Sequence, residues 1–120
     1  MHSKPATLNG EACVLVRRRE YERMACFMRE AALARLPEPD ERGFYPALET
    51  SCAMTARDMS VRRIAAGWTR AELAALAHVR VASVERLESG RHRTSRAVLG
   101  RILAALARAA RRRNPTRPRA

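Results

Sequence analysis

Residues 67–90, GWTRAELAALAHVRVASVERLESG, decide how this chain folds. The Thr69 hydroxyl can accept from the backbone N–H three residues on, and the Glu72 carboxylate can reach back to the N–H of Thr69. That reciprocal pair is a capping box, and it starts a helix. Leu73, Ala74 and Ala77 then share one face at helical spacing, and Ala74 is small enough to let another helix cross close by. A break over residues 77–80 precedes a second expected helix over residues 81–88, which stops at Gly90, the residue type that most easily takes the left-handed C-terminal conformation. At about 100° per residue, Val84 and Leu87 fall together while Val81, Ala82, Glu85 and Arg86 turn to the opposite side. One face packs, and the other is free to read a partner.

Two short helices set at a tight turn form a helix-turn-helix, whose second helix enters the major groove of DNA. The stretch resembles the Xre family of bacterial and phage repressor DNA-binding domains, whose motif runs roughly G-L-(S/T)-Q-x-x-L-A-x-x-x-G-(V/I)-S-x-x-x-(I/V)-x-x-(I/L)-E-x-G. Gly67, Trp68, Thr69, Leu73, Ala74, Val79, Val84, Leu87, Glu88 and Gly90 fall in register with it. The likeness extends less tightly over residues 53–106. Three departures matter. Arg70 replaces a glutamine that in the family touches a phosphate. His78 stands at the turn glycine, and histidine is among the residues enriched at positive φ. Arg80 stands where a serine or threonine caps the recognition helix, so that N-terminus lacks its usual acceptor.

The resemblance assigns roles residue by residue. On the recognition helix Arg86 is long enough to fork onto guanine O6 and N7, Glu85 can accept from cytosine N4, and Val81 and Ala82 can meet thymine methyls. Arg70, Arg80, Arg91 and Arg93 are the expected phosphate contacts, with Ser95 capping a following helix whose free N–H groups also suit a phosphate. Glu88 ends its helix where the dipole disfavours a carboxylate. The family pairs that glutamate with an arginine of the preceding helix, and Arg63 occupies the matching place. Val98, Leu99, Ile102, Leu103 and Leu106 then form an apolar stripe that closes the core, on a helix expected to run through Arg113.

Charge is divided unevenly along the chain. Residues 1–50 carry 8 basic and 8 acidic side chains, whereas residues 51–120 carry 16 and 4, so the whole net charge of +12 lies in the second half. A neutral half joined to a cationic half implies that one of them meets a polyanion. Residues 107–120 hold six arginines and no acid. Pro115 and Pro118 bar a helix there, and a disordered basic arm is expected from Asn114 onward.

The first half is organised differently. Asn9-Gly10 favours a two-residue hairpin turn, and residues 12–16, ACVLV, read as a short apolar strand. No second strand is evident, so its expected partner is its own copy in a dimer. Residues 20–36 read as a helix with Tyr21, Met24, Ala25, Met28 and Ala32 on one side, and Pro37, Pro39, Gly43 and Pro46 mark a linker. Residues 8–10, then 14–16, then 19–22 resemble the strand-then-helix start of bacterial antitoxins of the Phd type and of Xre-type antitoxins with a similar prefix. Arg17, Arg18 and Arg19 make the strand exit more basic than that pattern. The resemblance implies an antitoxin that represses its own operon and binds a cognate toxin.

Other classes are set aside on chemistry. No segment approaches the roughly 20 apolar residues needed to span a bilayer, and the first ten residues lack the apolar core of a signal peptide. Cys13, Cys26 and Cys52 have no CxxC spacing and read as small buried or half-buried residues of a reduced cytosol. His2, His78 and His92 are too scattered to complete a metal set with them. Glu20, Glu22, Glu30, Asp58 and Glu72 read as solvated helix carboxylates, no nucleophile motif accompanies them, and neither an enzyme nor a cofactor is expected.

The sequence therefore predicts a mainly α protein: a lambda-repressor-like helix-turn-helix bundle over residues 51–106, a small strand–helix appendage over 1–50, made of a strand or hairpin with a helix and linker, for dimerisation or partner binding, and a basic tail over 107–120. The expected function is a homodimeric, sequence-specific repressor acting on double-stranded DNA in the bacterial cytoplasm at the nucleoid, with no membrane partner. A rival reading is a protein-bridging adaptor that holds nucleic acid nonspecifically through its tail.

Overall fold

The computed structural model describes residues 3–113, leaving His2 and the arm expected from Asn114 onward outside the described residues. The element order is β1 (Ser3–Leu8), β2 (Glu11–Val16), α1 (Arg18–Arg29), α2 (Ala47–Ala66), α3 (Arg70–Ala77), α4 (Val81–Ser89) and α5 (Arg96–Arg113). The fold is mainly α, with one small antiparallel sheet at its N-terminal end.

Asn9 and Gly10 both take positive φ, 51° and 80°, the pair of left-handed conformations that a type I′ turn requires. The turn sets the register from Leu8↔Glu11 to Ser3↔Val16. This corrects the expectation that residues 12–16 have no second strand within their own chain: β1 pairs with them along one edge. Residues 3–8 hid that strand because Lys4 and Pro5 interrupt any apolar alternation, and turn geometry pairs them regardless.

Helix α1 ends at Arg29, seven residues short of the expected limit at Leu36. The cause is tertiary. Arg63 of α2 donates through Nη2 to the Glu30 carbonyl, and Arg57 donates through Nη1 to the Ala34 carbonyl at 2.8 Å, so these backbone acceptors are satisfied without further helical turns. Pro37 also disfavours helical backbone at Leu36. Of the expected apolar side, Met24 and Ala25 are half-buried, whereas Tyr21 and Met28 face solvent.

Helix α2 starts directly after Pro46, which serves as its N-cap. Its buried Met59 joins Leu73, Ala74, Ala77, Val84, Leu87, Ile102, Ala105 and Leu106 in one core, with Trp68, Val79, Val98, Leu99 and Leu103 packed around it. The α5 stripe thus closes over the two shorter helices as its spacing predicts. The helix runs unbroken to Arg113 as its sequence predicts, and burial continues past residue 106 to Ala109.

Gly90 takes φ 72° at the end of α4, and a Cβ there would lie 3.2 Å from both the Ala34 Cβ and the Ala53 Cα. Glycine is required for conformation and for space.

Candidate nucleic-acid interface

The capping box is fully formed. The Thr69 N–H donates to Glu72 Oε1 at 2.8 Å and the Glu72 N–H donates to Thr69 Oγ1 at 3.2 Å. Helix α3 runs eight residues and ends where His78 adopts the left-handed region, φ 56° and ψ 43°. Helix α4 follows at Val81, after an N-cap Arg80 that offers no side-chain acceptor. The turn tolerates histidine, and the recognition helix begins without a side-chain cap, as its sequence predicts.

Val84, Leu87 and Glu88 of α4 are buried, while Val81, Ala82, Glu85 and Arg86 are all exposed. The predicted base-reading set therefore occupies one open face of one helix. Arg80, Arg91, Arg93 and Ser95 are also exposed, and Ser95 Oγ accepts from the Val98 N–H at 3.3 Å at the start of α5. Arg101, which the motif does not single out, reaches the same region by donating to the His78 carbonyl at 3.4 Å. Its only signal in sequence was its place early on a basic helix.

Beneath this face lies a buried charge cluster. Arg63 Nε donates to Glu88 Oε2 at 2.7 Å and Arg63 Nη2 to Glu88 Oε1 at 3.0 Å, with both side chains 0% exposed. Arg63 also donates through Nη1 to the Trp68 carbonyl at 2.8 Å and, as above, to Glu30. One guanidinium therefore ties the ends of α1 and α4 and the entry to α3 to α2. Its planar fork suits this role in a way a lysine ammonium would not.

Arg70 is placed differently from the expectation. Its Nε donates to Glu88 Oε1 at 3.0 Å and its backbone N–H donates to Glu30 Oε1 at 3.0 Å, so both are engaged by protein carboxylates. Glu30, at the end of α1, thus meets the α3 N-terminus, and the Arg70 side chain stays 24% exposed. The sequence reads Glu30 as a solvated carboxylate and gives Glu72 no partner beyond its capping box, and the structure adds a long-range partner to each. Arg23 of α1 forks onto Glu72 at 3.0 and 2.9 Å and donates to the Gly67 carbonyl at 2.6 Å. Burial pushes the Glu72 carboxyl up, but the hydrogen bond from Arg23, those from Thr69 and the Arg23 charge outweigh it and hold Glu72 below the usual glutamate range. The same contact raises the Arg23 guanidinium above its ordinary value.

Among the described residues no group of His, Cys, Asp and Glu is disposed to hold a metal ion. No described helix is long and apolar enough to cross a membrane. Cys13, Cys26 and Cys52 are free thiols, each half-buried. The helix-turn-helix domain family matches residues 56–115, from within α2 through the two motif helices and all of α5. No curated protein and no solved structure matches the chain.

Proposed function

Because the chain belongs to the helix-turn-helix domain family, we propose that it is a sequence-specific transcriptional repressor of the Xre type, binding double-stranded DNA as a homodimer. The observation that carries this reading is the division of α4: its inward face is locked by Val84, Leu87 and the buried Glu88, and its outward face presents Val81, Ala82, Glu85 and Arg86 together. A rigid helix with a mixed donor, acceptor and methyl face is what direct readout in the major groove needs. A bridging adaptor would have no use for that fixed combination.

Phosphate contact falls to Arg80, Arg91 and Arg93 with the α5 N-terminus at Ser95, and Arg70 contributes there through whatever Glu30 and Glu88 leave of it. The antitoxin elaboration, in which the prefix binds a cognate toxin, rests on the likeness of residues 8–10, 14–16 and 19–22 to the strand-then-helix start of such antitoxins. An adjacent toxin-like reading frame would bear on that directly.

The test is Arg86→Ala, measured on selected operator DNA and on random DNA. The expected result is a loss of about 1–3 kcal/mol in specific affinity with nonspecific binding nearly intact. Equal loss on both would remove Arg86 from base reading.

A further inference from the structure

The β1–β2 hairpin packs substantially against no other element, and Leu8, Val14 and Leu15 are 65%, 61% and 62% exposed on it. A two-stranded sheet standing alone is marginal in water. Its two free edges are not alike. In a two-residue hairpin the residues flanking the turn, Leu8 and Glu11, form a hydrogen-bonded pair, and alternation then makes Ala6↔Cys13 and Lys4↔Leu15 hydrogen-bonded and Pro5↔Val14 non-hydrogen-bonded. Pro5, lacking an N–H, sits where the backbone groups turn outward, so it blocks the β1 edge. The β2 edge turns out the backbone of Ala12, Val14 and Val16 and has no proline or lysine to guard it.

We propose that β2 pairs edge to edge with β2 of a second copy, antiparallel about Val14, to give a four-stranded sheet in the order β1-β2-β2-β1. This deepens the dimeric reading above and rests on it. The outward groups of residues 12, 14 and 16 match only when their partners are also outward. Val14 facing Val14 and Ala12 facing Val16 use all of them. The same register sets Glu11 opposite Arg17 of the second copy, twice by symmetry, as non-hydrogen-bonded pairs in which side chains lie closest. Both residues are exposed, both lack an ion-pair partner among the described residues, and Arg17 is still extended at φ −60° and ψ 140°. Charge complementarity and the blocked β1 edge thus select the partner, the strand and the register.

The test uses the full chain and its molar mass in solution. Val14→Pro removes one outward N–H and no bond within the hairpin, so it is expected to give monomers at concentrations where the wild type is dimeric. E11R and R17E are each expected to weaken dimerisation about tenfold, and the double variant E11R/R17E to restore it. As an independent readout, L15C places a thiol opposite Cys13 of the second copy at the roughly 4.5 Å Cα spacing of such a pair, which lies within disulfide reach. Mild oxidation should yield a 13–15 intermolecular disulfide by peptide mapping. A Val14→Pro chain that stays dimeric, or a cross-link mapping only to 13–13 or 15–15, overturns the β2 pairing. A wild-type chain that is monomeric in solution and on its operator overturns the dimeric reading itself.

Discussion

Replacing Glu88 by glutamine probes the structure at its most consequential contact. Arg63 and Glu88 are both 0% exposed, and Arg63 directs two of its donors at the two carboxylate oxygens while Arg70 adds a third. Glutamine keeps the shape, loses the charge and turns an NH2 group toward a guanidinium that can only donate. Arg63 then retains its carbonyl partners, Trp68 and Glu30, but its charge is stranded away from water. Removing one member of a buried pair typically costs about 3–5 kcal/mol. For a domain of this size each kcal/mol is worth several degrees, so the melting temperature should fall by roughly 10–25 °C. Urea unfolding followed by far-UV circular dichroism gives the free energy directly, and the midpoint should fall without a change in slope. Replacing the pair together, as R63M/E88L, should recover part of the loss and no more, because the Trp68 and Glu30 carbonyls lose their donor. An E88Q protein that unfolds at the wild-type midpoint would refute the claim that this pair holds α4 against α2.

Three further outcomes follow from the same geometry. Arg91→Ala should reduce the salt slope of DNA binding by about one, and an unchanged slope on a salt titration would withdraw Arg91 as a phosphate contact. Ile102 is 0% exposed at the centre of the α5 stripe, so Ile102→Ala should destabilise by about 2–5 kcal/mol in denaturant unfolding, whereas a loss typical of surface changes would mean the stripe is not core. Glu72 titrates below its ordinary value when folded, so its contribution to stability is fully present above the usual glutamate range and fades as pH falls through the depressed value. Wild-type stability relative to E72Q should therefore shrink only in acid, and an NMR titration placing the Glu72 carboxyl at or above the ordinary range would contradict the Arg23 contact.

The helix-turn-helix was legible because the interactions that define it are local. The Thr69–Glu72 box joins residues three positions apart, His78 and Gly90 act through their own φ, and the burial of Leu73, Ala77, Val84 and Leu87 follows from helical period. The Asn9-Gly10 turn was readable for the same reason. For Arg63–Glu88, 25 residues apart, the local signal was only a carboxylate at a helix C-terminus, and the family resemblance supplied its partner. What tertiary structure alone decided is how the first third of the chain attaches. Arg23 meets Glu72 across 49 positions, Arg70 meets Glu30 across 40, and Arg57 meets the Ala34 carbonyl across 23. With 24 basic and 12 acidic side chains, sequence leaves hundreds of possible pairings of equal chemistry. Charge is attractive at any position, and only packing brings particular ends together. The close approach of Ala34 to Gly90 and the early end of α1 belong to the same class, because both depend on where distant backbone lies. β1 was hidden for a related reason: its residues carry little strand preference of their own, and pairing across the turn makes them a strand.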